Sequence, residues 1–160
     1  MFKKLVTSFL MLILFTFANS AEVDLNKHLE TAKNQNKFIM FFHHIPGCPY
    51  CQRMIEENFK DPNILKVVNK NFIYVDIYTA DTDPVVFKDF AGTHKEFSSY
   101  IGAVAYPATV FMDKNGKVLH RAIGYRNIDE HFADITYIST ESYKKMDLES
   151  YKEKLDFEKD

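Results

Sequence analysis

The stretch Lys37-Phe38-Ile39-Met40-Phe41-Phe42-His43-His44-Ile45-Pro46-Gly47-Cys48-Pro49-Tyr50-Cys51 decides how this chain is read. Residues 37–42 form a near-continuous apolar run of strand length, which suits a strand buried on both faces of a sheet. Residues 43–47 read as the loop at its C-terminal end, the edge where open α/β sheets build their sites. Cys48 then opens a helix, with Pro49 at the first helical position, where a missing N–H costs nothing. Cys51, Met54, Ile55 and Phe59 recur at three or four residues and make the inner face of that helix. The chain has only 2 cysteines, and two residues separate them. A bridge across so short a loop removes little unfolded-state entropy, so it is a poor structural staple. A strand, a turn carrying C-x-x-C and a helix is instead the arrangement a redox dithiol requires.

Composition bounds the alternatives. With 160 residues, 46% of them hydrophobic, the chain can bury one ordinary core. A formal net charge of -2 offers no basic surface of the kind nucleic acid needs, which excludes that partner class. Residues 1–20 read as a secretory signal peptide: Lys3 and Lys4, an apolar run broken only by Thr7, Ser8 and Thr16, then Ala18-Asn19-Ser20-Ala21 suited to cleavage after Ser20. The run is shorter than the roughly 20 apolar residues of a membrane span; an uncleaved anchor is the alternative. The expected domains are therefore the leader 1–20, one globular domain 21–139, and a charged tail or terminal helix 140–160.

Along the rest of the chain, Asp24 is placed to cap a first helix carrying Leu25, His28, Leu29 and Ala32 at helical spacing. Asp61-Pro62 restarts a helix, with Ile64, Leu65, Val67 and Val68 inward. Residues 72–78 form a second strand, in which Asp76 is either a surface residue or a site neighbour. The segment 79–105 is the least regular; 85–90 is a short helical or extended piece, and a helix follows over about 94–101. Two strands, 109–112 and 117–123, flank Asp113-Lys114-Asn115-Gly116, a hairpin turn with Asn-Gly at its centre. A last helix spans 128–138. This order implies an α/β fold with a mixed sheet of about four strands and helices on both faces.

That layout resembles the thioredoxin fold. Cys48-Pro49-Tyr50-Cys51 is similar to the family's redox motif, Tyr106-Pro107-Ala108-Thr109 to its cis-proline loop, and residues 110–118 to its closing hairpin. The run from Cys48 through Asp61-Pro62-Asn63 to Phe72 most resembles exported thioredoxin-like oxidoreductases of the type found with sulfur-oxidation genes (SoxW-like). The chain also departs from thioredoxin. Gly47 stands where thioredoxin has a tryptophan, and Phe42 stands where it has a buried acid that assists proton transfer. Pro49-Tyr50 is closer to glutaredoxins, and 79–106 is too short for the helical insertion of the oxidant type.

The resemblance implies an exported, periplasmic thiol–disulfide oxidoreductase, in the first place a reductase of substrate-protein disulfides. A net oxidant or isomerase shares the same residues, and a non-enzymatic metal or thiol-adduct carrier is a further alternative. Cys48 would be the attacking cysteine, its thiolate favoured by the helix N-terminus, and Cys51 the resolving one. Pro49, Tyr50, Tyr106 and a cis Pro107 would shape the site. His44 would favour the thiolate or carry protons, unless it and His43 are only polar residues leaving a buried strand. No metal and no cofactor are expected, because ligands at 43, 44, 48 and 51 would have to wrap one ion around Pro49. The implied partners are disulfide-bearing proteins and a membrane or soluble thiol protein that exchanges electrons, with the chain itself a monomer.

Overall fold

A computed structural model describes residues 22–158; the expected signal peptide lies outside them. The main sheet is built on β2 (Phe38–His44), which pairs in parallel with β3 (Phe72–Tyr78) from Phe38↔Phe72 to His44↔Tyr78. Its other edge pairs antiparallel with β6 (Ala108–Met112), and β6 pairs antiparallel with β7 (Val118–Ile123). The strand order β3-β2-β6-β7 is the expected mixed sheet. Residues 39–43 of β2 are each 0% exposed, because helices cover both faces. On one face Ile39 and Phe41 join Phe87, Phe97 and Val110. On the other, Met40 joins Ile64, Phe111, Ile135 and Ile138.

The strand runs two residues further than its apolar run suggests. His43 and His44 belong to β2 rather than to the loop. His43 is accommodated because its buried Nδ1 meets the Ser98 hydroxyl at 2.8 Å, so the polar ring completes the strand without an exposed end.

The helices follow their caps. α2 (Pro49–Glu56) has Pro49 in its first turn and Cys48 at the cap. It is shorter than the apolar spacing suggests: Cys51 and Met54 are buried, but Phe59 lies on a separate single turn, Asn58–Lys60, and is half-buried. Asp61 caps α3 (Pro62–Asn71), its carboxylate accepting from the Asn63 and Ile64 N–H groups at 2.9 and 3.0 Å. The inner face of α3 is narrower than expected, since Leu65 is 39% exposed while Ile64 and Val68 are buried. Asp24 is not the cap of α1 (Asn26–Gln35). Leu25 holds that position, and Asp24 accepts from the Asn26 N–H at 3.0 Å just ahead of it. α5 (Ile128–Ser139) opens on a reciprocal pair, Asn127 with the Glu130 N–H and Glu130 with the Asn127 N–H, each 2.9 Å.

The irregular segment holds a small second sheet, with β1 (Val23–Asp24) beside β4 (Val85–Phe87) and β5 (Phe90–Gly92) in the order β1-β4-β5. Residues 85–90 are thus extended, and α4 (His94–Tyr100) follows, capped by Thr93. In the hairpin only Gly116 takes a left-handed backbone (φ +73°); Asn115 does not, and Asp113 closes the turn by accepting from the Asn115 and Lys117 N–H groups. The C-terminal segment is a docked helix, α6 (Leu148–Phe157), with Tyr151 buried against the domain. Among the described residues no helix is long and apolar enough to cross a membrane.

Candidate active site

β2 ends at His44, and the chain reverses through Ile45, Pro46 and Gly47 into α2. Gly47 has φ +67°, a left-handed conformation that costs glycine little and that L side chains avoid. The turn leaves Cys48 extended (φ -98°, ψ 102°) at the helix cap, where its Sγ accepts the Cys51 N–H at 3.1 Å. A disulfide joins Cys48 and Cys51, whose Cα atoms are 5.2 Å apart. The two sulfurs differ in access: Cys48 is half-buried, and Cys51 is 2% exposed. A polar N–H aimed at Sγ and the positive end of α2 both favour negative charge on Cys48.

The Tyr106–Pro107 peptide bond is cis. Ala108, next in the chain, is the register partner of His43, so this bond sits at the same end of the sheet as the cysteine loop. The Pro107 carbonyl is held by the Gly124 N–H at 2.8 Å, which ties the loop to the turn after β7. Tyr50 stands 61% exposed beside Cys48, with its ring 5.5 Å from that of Tyr125. The Arg53 guanidinium lies 5.0 Å over the Tyr125 ring and pairs with Glu57 at 3.0 Å. Tyr125 carries no motif, and only the folding of the β7–α5 turn onto α2 brings it to Tyr50 and to Arg53 of α2.

His44 lines the same cleft as Cys48, Cys51, Gln52 and Tyr78. Its Nε2 meets the Asp76 carboxylate at 2.9 Å, and the other Asp76 oxygen accepts from the Tyr74 hydroxyl at 3.1 Å. The ring stacks on Phe42, with centroids 5.5 Å apart. Tyr74 keeps an exposed edge, 39% of the residue, yet burial and the adjacent carboxylate push its phenol pKa well up, so it stays a donor. His43 points to the opposite face, toward Ser98, and burial drives its pKa down to about 3. The two adjacent histidines are therefore separated by the sheet. Among the described residues no group of three or more His, Cys, Asp and Glu side chains is placed to hold a metal ion.

The thioredoxin-like domain family matches residues 25–138. No curated protein matches the chain. Among solved structures, a thioredoxin-fold protein from Helicobacter pylori superposes with a TM-score of 0.65 at 16% identity, over 86% of this chain and 89% of that one. A thioredoxin from Thermus thermophilus gives 0.58 at 18% identity, over 73% and 85%. A putative disulphide isomerase from Bacteroides thetaiotaomicron gives 0.58 at 21%, over 72% and 88%. At these identities the likeness concerns the fold, and the match over 25–138 places the chain in a family: it belongs to the thioredoxin-like domains, with the two cysteines of its C-x-x-C motif joined as a disulfide.

Proposed function

We propose that the chain is an exported thiol–disulfide oxidoreductase, working in the periplasm as a reductase of protein disulfides. The observation that carries this reading is the Cys48–Cys51 pair at the N-terminus of α2, one sulfur accessible and the other buried. In the reduced form, Cys48 thiolate attacks a substrate disulfide and one substrate sulfur leaves as a thiolate. Cys51 then displaces the second substrate sulfur from Cys48, and the new Cys48–Cys51 bond is reduced by an external thiol protein. Pro49 and Tyr50 shape the approach to Cys48. The Tyr106 backbone, at the cis bond, pairs with an extended substrate segment. His44, on the same cleft, assists thiolate formation and proton movement. Export rests on the leader-like residues 1–20. Net reduction rests on the shortness of segment 79–106.

Insulin reduction with dithiothreitol as electron source tests the assignment. Cys48→Ser should abolish turnover, and Cys51→Ser should accumulate mixed disulfides with substrates. Full insulin-reducing activity in Cys48→Ser would show that the nucleophile is misassigned.

A further inference from the structure

The buried thiol poses a proton problem. Cys51 is 2% exposed, and it must lose its proton before it can displace the substrate from Cys48. Phe42, which stands on β2 where thioredoxin has its buried acid, is 0% exposed and offers no base. The side chains lining the cleft, apart from the cysteines, include two that titrate, His44 and Tyr78. A phenol ionises too high to act as a base near neutral pH, whereas imidazole is suited to it. Asp76 is the register partner of Phe42 on the neighbouring parallel strand, so the carboxylate sits one strand to the side, on the same face. It reaches His44 Nε2 at 2.9 Å. A carboxylate can only accept, so Nε2 carries the hydrogen, and in the neutral ring Nδ1 keeps its free electron pair. Tyr74 donates to the second Asp76 oxygen and holds the carboxylate in place.

We propose that His44 is the base for the buried Cys51 thiol and that Asp76 and Tyr74 are the residues that position it. This rests on the oxidoreductase reading above. In the resolving step the Cys51 proton passes to His44 Nδ1, directly or through one water. The Cys51 sulfur forms its bond to Cys48 Sγ as the bond from Cys48 to the substrate sulfur breaks. The substrate sulfur leaves as a thiolate and takes the proton from the imidazolium. Two electrons pass from the dithiol to the two substrate sulfurs, and no other reactant is consumed. The groups facing His44 are Asp76 and Tyr78 from β3 and the two cysteines, with Phe42 stacked on the ring; His43, next in the chain, lies on the opposite face of the sheet and acts on His44 only as a nearby charge.

A chromogenic nitrothiobenzoate disulfide separates the two steps in stopped flow. Reduced protein releases one coloured thiolate when Cys48 attacks and a second when Cys51 resolves the adduct. His44→Gln should slow the second release by roughly a hundredfold or more at neutral pH. It should also change the shape of that step's pH profile, which a merely structural loss would leave unaltered. Asp76→Asn should slow the second release about tenfold relative to the first, Tyr74→Phe by less, and Asp76→Glu should restore most of the rate. Second-step rates and pH profiles that match the parent in both His44→Gln and Asp76→Asn would overturn the proposal. A parent protein that releases no coloured thiolate at all would instead overturn the oxidoreductase reading.

Discussion

His43 and His131 are imidazoles sealed on the two sides of the main sheet, each 0% exposed. Burial lowers their pKa values to about 3 and about 4, with the nearby carboxylates Asp76 and Asp134 only partly opposing it. Both are therefore neutral when folded and become charged when unfolded below an ordinary histidine value of about 6.5. The unfolded chain binds more protons in that window, so folding stability should fall as pH drops from about 6.5 toward 4, by roughly 1.4 kcal/mol per pH unit for each ring. Urea midpoints across that range check this, and His131→Phe should remove its share of the slope. A stability that stays flat from neutral to mildly acid pH would contradict it. The same scale shows what a linear reading finds. The placement of Cys48 and Cys51 at a helix start, of Pro107 at the sheet end and of His44 on the same cleft was legible because each belongs to a local motif or adjoins one. Asn58 was not: it donates to the Arg126 and Asn127 carbonyls at 2.8 and 3.3 Å, and those partners lie 68 and 69 residues away. Asp76 was ambiguous for the same reason, its partner His44 being 32 residues distant.

At the scale of the element, caps decide boundaries and burial decides attachment. Asp61-Pro62, Thr93 and Asn127 start helices where their chemistry requires, because a cap acts on N–H groups within three residues of itself. The small sheet β1-β4-β5 was illegible, since strands of two and three residues are too short to show alternation. α6 was readable as an amphipathic segment, with a helix docked on the domain and a solvated tail as equal alternatives, and its packing decides for the docked helix. Its anchor is Tyr151, 5% exposed, with its ring 5.4 Å from that of Tyr137. The Tyr137 hydroxyl donates to the Met146 carbonyl at 2.7 Å and fixes the approach. Tyr151→Ala should destabilise the domain by about 3 kcal/mol in chemical denaturation, the scale of losing a buried aromatic ring. A loss below about 0.5 kcal/mol would mean that α6 is merely laid against the surface.

At the scale of the whole molecule, the fold gathers a cysteine turn, a cis-proline loop and a histidine–carboxylate pair at one end of one sheet. The redox potential belongs to this scale because it compares the whole reduced and oxidised proteins. If the chain is a net reductase, equilibration with defined thiol buffers should place the Cys48–Cys51 couple near about -270 mV. A value near about -120 mV would assign the same residues to net oxidation.

The amino-acid order alone settled the α/β class and the cysteine pair at a helix start, because each depends on periodicity or on spacing within a few residues, and the order of elements implied the mixed four-stranded sheet through the rules of strand connection. Three things required the folded chain: that His43 and His44 part to opposite faces, that Asp76 lies beside Phe42, and that Tyr125 meets Tyr50. Each is a contact across strands or between a helix and a distant turn. Contacts of that kind depend on strand register and on packing over long loops, and neither leaves a local trace in the residues involved.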